Sequence, residues 1–84
     1  MAKSFLLEES RLEAMEAEVG QDIKGKIAKR EAELDKPRSQ TIEHSGMSAG
    51  AFYAAWKDPA KFRVGQLLRI YDFLRIPESE RRLI

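Results

Sequence analysis

Lys and Arg are the most numerous residues with reactive or charged side chains in residues 23–84. Residues 1–22 carry two bases against six acids, a net charge of −4, whereas residues 23–84 carry thirteen Lys or Arg against eight acids, a net charge of +5. An acidic arm therefore precedes a basic body, and the body could face a polyanion. The alternative is that charged helices simply have solvated faces, and net charge by itself favours this alternative.

Side chains suited to catalysis or metal binding are sparse. The chain has no Cys and one His, His44, and it contains neither a Gly-rich phosphate loop nor a His-Glu-x-x-His motif. Its carboxylates alternate with cations in helical stretches, a pattern typical of solvated faces rather than of metal sites. We therefore expect no enzymatic activity, no metal and no cofactor, and no small-molecule ligand is evident.

The composition predicts a single all-α domain. With 84 residues the chain can bury one modest core, and Leu, Ala, Glu, Lys and Arg dominate while Gly and Pro are few. Because the chain lacks cysteine, an export signal and any apolar run near the ~20 residues that cross a bilayer, we expect a cytoplasmic protein with no membrane contact.

An apolar stripe predicts a long N-terminal helix. Its residues recur at steps of three and four and are Leu12, Met15, Val19, Ile23 and Ile27. Glycine disfavours helix interiors, so the stripe could form one helix or two, with a bend or break near Gly20. We therefore divide the chain into an acidic helical arm at 1–22 and a domain at 23–84.

Local signals predict the boundaries of the helices that follow. Pro37 ends the first helical stretch and begins the next. Gly46 is placed to close that second helix in a left-handed conformation, and Ser48 is placed to cap the third, which Asp58-Pro59 ends.

The rest of the domain has the pattern of a buried core. Phe52 and Trp56 stand four residues apart on one helix face, which indicates that both pack inward. A fourth helix carries the buried-face pattern Val64, Leu67, Leu68, Tyr71 and Leu74. A last short turn after Pro77 completes a compact bundle of about five helices.

A short helix, a tight glycine turn and a capped second helix form a helix-turn-helix, whose second helix can enter the major groove of DNA. At these residues the chain resembles the lambda-repressor-like (Cro-like, xenobiotic-response-element type) regulators of bacteria and phages. The resemblance runs from about residue 23 to residue 76. The matching positions are Gly46, Met47, Ser48, Phe52, Ala55, Leu67, Leu68, Ile70, Leu74 and Ile76.

The resemblance implies a sequence-specific transcriptional regulator, for example a repressor, that inserts helix 49–57 into double-stranded DNA. The positions matching base-facing residues are Ser48, Ala49, Gly50, Tyr53, Ala54 and Lys57. The candidates for phosphate contacts are Arg38, Ser39, Gln40, Lys61 and Arg63. Few of the base-facing residues match the usual Arg, Lys, Asn or Gln contacts to bases, so we expect limited direct readout.

The acidic arm suggests two further expectations. Members of the resembled family commonly bind DNA as dimers, and the arm could pair with a second copy to form a homodimer, or it could fold back on its own core. The alternative function is a protein–protein interaction module that keeps the helix-turn-helix scaffold without binding DNA. The poor set of base-reading side chains favours that alternative.

Overall fold

One long helix sets the dimensions of the molecule. The computed structural model describes residues 2–83, with side chains for Arg11 and for residues 14–83. Helix α1 spans Ala2–Glu33, and at 1.5 Å per residue its length of about 48 Å matches the longest dimension of the molecule, 50 Å. The helix passes through Gly20 without a break.

Three shorter helices follow α1. These are α2 (Arg38–Ser45), α3 (Ala49–Lys57) and α4 (Val64–Phe73), with 3-10 turns at Pro59–Lys61 and Glu78–Glu80. Residues 2–83 contain no β-strand, so the predicted all-α class is confirmed. The last predicted helical segment is the single 3-10 turn at Glu78–Glu80, so the described residues form four α-helices.

The predicted ends of α2 and α3 are confirmed by their local geometry. Pro37 is the N-cap residue of α2, and Gly46 closes that helix in the left-handed region at φ 77°. Ser48 caps α3, because its hydroxyl accepts a hydrogen bond from the Ala51 N–H at 3.2 Å. Helix α3 ends at Lys57, immediately before Asp58 and Pro59.

The C-terminal half of α1 enters the core, whereas residues 14–18 are exposed. Ile23 and Ile27 are fully buried and Val19 packs against them. Met15, predicted on the same stripe, is 55% exposed, and the side chain of Leu12 lies outside the described part of the chain. Among the stripe residues whose side chains are described, Val19, Ile23 and Ile27 are therefore covered and Met15 is not.

Helix α4 buries a narrower face than its sequence predicts. Leu67, Tyr71 and Leu74 are buried as predicted, together with Ile70. The prediction was wrong for Val64 and Leu68, which are 47% and 37% exposed. At about 100° per residue these two side chains lie at the flank of the buried stripe. The prediction for two aromatic residues of α3 holds in part. Phe52 is fully buried in the core, whereas Trp56 is only partly buried and packs against the core.

Polar contacts fasten the end of α1 and the turn after it to the end of α4. Arg30 donates from Nε to the Leu74 carbonyl at 3.0 Å and from Nη2 to the Arg75 carbonyl at 3.3 Å. Lys36 donates to the Phe73 carbonyl at 3.2 Å. These cations satisfy carbonyls that have no partner within α4 and oppose the negative end of its dipole.

The 3-10 turn at Pro59–Lys61 packs directly on α1. Gly20 is buried there, and a Cβ atom at this position would lie 2.8 Å from Cγ of Pro59. The glycine that suggested a break in α1 instead permits a close approach of the Pro59 ring to the backbone of α1.

Candidate nucleic-acid interface

Helix α3 presents one face to the core and the other to solvent. Phe52 and Ala55 are buried on the inner face. The residues on the outer face recur at steps of three and four and are Gly50, Tyr53, Ala54 and Lys57, all of them exposed. The four therefore share one surface. All four are among the base-facing residues implied by the resemblance.

The phenol of Tyr53 belongs to this surface rather than to the core. Tyr53 is 47% exposed. Its ring contacts Phe52 edge to face, with ring centroids 5.6 Å apart. One side of the ring is therefore supported by the core, while the rest of the side chain can reach a ligand.

A shallow depression gathers most of these side chains. It is lined by Gly50, Tyr53, Ala54, Lys57, Asp58 and Lys61, and its volume is about 410 Å³. Lys61, a candidate for a phosphate contact, thus lies beside the outer face of α3 because the 3-10 turn returns the chain there. Asp58, predicted only as the residue that ends α3, adds an acid to this basic surface.

The remaining candidates near α3 flank the depression in sequence. Ser48 and Ala49 are exposed at the start of the helix, and the Ser48 hydroxyl, although it accepts from Ala51, keeps a proton to donate. Arg63 is exposed just before α4, where its backbone N–H donates to Oε1 of Gln66 at 2.9 Å.

Arg38 is engaged by the protein itself. Its Nε lies 2.8 and 3.0 Å from the two carboxylate oxygens of Glu31, and its Nη2 donates to Oε1 at 2.9 Å. The guanidinium also lies over the ring of Trp56, 4.1 Å from the centroid. Ser39 and Gln40, in the same first turn of α2, are exposed.

The carboxylate that holds Arg38 is itself nearly buried. Glu31 is 8% exposed and accepts a further hydrogen bond, 2.7 Å long, from the hydroxyl of the fully buried Thr41. Three helices therefore meet at this group through Glu31 of α1, Arg38 of α2 and Trp56 of α3. The sequence contains no motif for this cluster, because its members come together only when the turn after α1 folds.

A second groove lies between α1 and the end of α3. Its lining includes Glu16, Gln21 and Lys24 of α1 together with Lys57 and Asp58. Lys57 thus borders both this groove and the depression on α3. Glu16 brings a negative charge from α1 to the edge of the candidate interface, where it opposes the attraction of an anion to Lys57.

The described residues meet the requirements of neither a metal site nor a membrane-spanning helix. Within the described part of the chain, no three His, Cys, Asp or Glu residues are grouped so that they could hold a metal ion. None of the helices in residues 2–83 combines the length and the apolar character needed to cross a bilayer.

Comparison with known proteins gives no relative for this chain: no family model, no curated protein and no solved structure matches it.

Proposed function

We propose that this protein is a DNA-binding transcriptional regulator of the lambda-repressor-like type, in which α2 and α3 act as a helix-turn-helix. The observation that carries the proposal is the exposed surface shared by Tyr53, Lys57 and Lys61 around one depression beside α3. A helix that follows a short turn and presents a cation and small residues outward fits the major groove.

The small residues of α3 allow its backbone to approach the bases closely. A Cβ atom added at Gly50 would meet nothing within 4 Å, so the surface there is open. Lys57, Tyr53 and Ser48 supply hydrogen bonds, and the methyl groups of Ala49 and Ala54 are suited to the methyl group of thymine. This set supports only modest discrimination between sequences.

Affinity then rests mainly on phosphate contacts. Lys61 and Arg63 are exposed cations next to the surface of α3. Ser39 and Gln40 lie in the first turn of α2, where the N-terminal end of the helix favours an anion, and the Gln40 N–H donates to the Pro37 carbonyl at 3.0 Å. Arg38 acts by positioning α2 and α3 through Glu31 and Trp56, and its guanidinium is occupied by those two contacts.

A second candidate function is a protein-binding module on the same scaffold. It is favoured by Asp58 within the depression and by Glu16 in the neighbouring groove, which Lys57 also lines, because both acids repel phosphates. In this alternative the surface of α3 binds a protein that carries both charges, and it does not bind DNA.

Titration of the protein with a mixed-sequence DNA duplex tests the proposal. We expect binding that weakens steeply between about 50 and 200 mM salt, as counterion release requires. Lys57→Gln/Lys61→Gln should weaken binding at least about tenfold and lower the salt slope by roughly 0.9 for each phosphate that is no longer neutralised. Arg11→Gln, which removes one exposed cation from α1, is the matched control and should leave the slope unchanged. A folded protein that binds no duplex at low salt would favour the protein-binding module.

A further inference from the structure

The depression beside α3 holds three charged side chains for which the described part of the chain supplies no partner. These are Lys57, Asp58 and Lys61, and all three are exposed. Among the side-chain hydrogen bonds and ion pairs of residues 14–83, none involves any of them. The two ammonium groups and the carboxylate are therefore available to a ligand.

The carboxylate of Asp58 has no role in the local fold. Asp58 stands at the N-cap of the 3-10 turn Pro59–Lys61, where an aspartate side chain commonly accepts a capping hydrogen bond, but it makes none here. The backbone of Asp58 makes the local contacts instead. Its N–H donates to the Ala54 carbonyl at 3.1 Å, and its carbonyl accepts from the Lys61 N–H at 2.9 Å. The side chain can therefore change without loss of these bonds.

A carboxylate on a surface that meets DNA needs a hydrogen-bond donor, because the phosphates repel it. The donors of the major groove are the N4 amino group of cytosine and the N6 amino group of adenine. Adenine carries the acceptor N7 beside N6, and N7 repels the second carboxylate oxygen. Cytosine presents its donor without such an acceptor, so cytosine is the base that suits Asp58.

We infer that Lys57 and Asp58 recognise one G·C base pair in the major groove. Lys57 donates to O6 and N7 of guanine, and Asp58 accepts from N4 of the paired cytosine. Consecutive Cα atoms are about 3.8 Å apart, and guanine O6 and cytosine N4 adjoin within the pair, so one base pair can bind both side chains. Lys61 then remains for a phosphate. Asp58, which is absent from the base-facing positions implied by the resemblance, becomes a specificity-determining residue.

This inference rests on the proposed function and deepens it, since it names the base pair that the surface of α3 prefers. It also separates two roles of Asp58 that differ in their outcome. If the carboxylate only repels phosphates, its removal strengthens the binding of every duplex equally. If it accepts from cytosine, its removal changes which base is preferred.

Selection from a pool of duplexes with a randomised central segment, at low salt, gives the sequence that the wild-type protein prefers. We expect this sequence to contain a G·C pair that cannot be exchanged without loss. Replacement of its cytosine by thymine and of its guanine by adenine should weaken binding at least about fivefold. The reason is that thymine O4 repels the Asp58 carboxylate, while adenine N6 faces the Lys57 ammonium.

Asp58→Asn is the variant that distinguishes the two roles. An asparagine side chain pairs with N6 and N7 of adenine, so selection with the variant should replace the cytosine by adenine. The thymine opposite that adenine still offers O4 to Lys57. Glu16→Gln is the matched control, because it removes one exposed acid from the neighbouring groove that Lys57 also lines. It should strengthen binding to all sequences and leave the selected bases unchanged.

The outcomes separate this inference from the proposed function. Selection of the same sequence by the wild type and by Asp58→Asn, with only a general gain in affinity, would overturn the inference and leave DNA binding intact. A wild-type selection that retains no G·C pair would do the same, and this arm needs no variant to fold. A folded protein that binds no duplex at low salt would overturn both.

Discussion

The guanidinium of Arg38 lies between the carboxylate of Glu31, 2.8 Å away, and the ring of Trp56, 4.1 Å from its centroid. The end of α1 is thereby joined to the first residue of α2 and to α3. An arginine at the start of a helix is typical of a phosphate contact, but the anion that binds Arg38 here is the carboxylate of Glu31. Arg38 is therefore a positioning residue for α3.

Removal of Arg38 should destabilise the fold. Arg38→Ala leaves the nearly buried Glu31 carboxylate with only Thr41 as a side-chain donor, and we expect a loss of about 2–3 kcal/mol in the free energy of unfolding. Denaturant unfolding followed by fluorescence of the single tryptophan, Trp56, measures this loss. The cycle with Glu31→Gln should give a coupling energy of about 1–3 kcal/mol. Additive effects of the two changes would show that the pair contributes nothing specific.

Gly20 packs against Pro59 whereas Gly25 does not, so replacing these two glycines of α1 with alanine should change stability in opposite directions. Gly20→Ala should destabilise the protein by about 1–3 kcal/mol, because the new Cβ would lie 2.8 Å from a proline ring that cannot easily move. Gly25→Ala, whose Cβ meets nothing within 4 Å, should stabilise the protein by about 0.5–1 kcal/mol through helix propensity. Thermal unfolding of the two variants compares them directly. A stabilising Gly20→Ala would mean that α1 and the 3-10 turn do not pack as closely as described.

Tyr71 makes stability depend on pH in the alkaline range. Burial raises the pKa of Tyr71 from 10.0 to about 12, and its hydroxyl donates to the Arg82 carbonyl. The folded protein holds this proton more tightly than the unfolded chain does. The contribution of Tyr71 to the free energy of unfolding is therefore fully present below pH 10 and is lost as pH rises towards 12. Over that range stability should fall by about 1.4 kcal/mol per pH unit.

The variant Tyr71→Phe isolates this contribution, since it removes the titrating group while it keeps the ring. Chemical unfolding at several pH values above 9 should show a steeper decline for the wild type than for the variant. Parallel declines would assign the alkaline loss to other groups.

Tyr53 should affect DNA binding more than stability. Because this side chain is 47% exposed, Tyr53→Ala should cost less than about 1 kcal/mol of folding free energy. On the proposed function it should weaken duplex binding by about fivefold or more with little change in salt slope, since it removes a base contact rather than a phosphate contact. Tyr53→Phe tests the hydroxyl alone. Unchanged affinity in both variants would remove Tyr53 from the interface.

The sequence predicts the features that depend on neighbouring residues. Pro37, Gly46 and Ser48 mark helix ends through φ preferences and capping, and these effects act within a few residues. The sequence does not predict features that depend on distant packing. The exposure of Val64 and the close approach of Pro59 to Gly20 follow from where other helices lie.

The candidate site divides in the same way. The exposed face of α3 could be predicted from helical spacing, and Tyr53 and Lys57 lie on it as predicted. The engagement of Arg38 could not be predicted, because Glu31 stands seven residues earlier, before a turn whose residue Asp35 has a positive φ of 52°. Asp58 was predicted only to end α3, and its presence in the depression depends on the path of the 3-10 turn.

The hydrogen bonds of Arg30 and Lys36 to the carbonyls at and just after the end of α4 also determine how the molecule unfolds locally. Helix α4 and the residues that end it cannot unwind without breaking bonds to Arg30 of α1 and to Lys36 in the turn after α1, so these segments should exchange their amide hydrogens as one cooperative unit. Residues 14–18 of α1 are exposed and lie outside that unit. A single helix would therefore contain amides that exchange on two separate timescales, with the change falling near Val19.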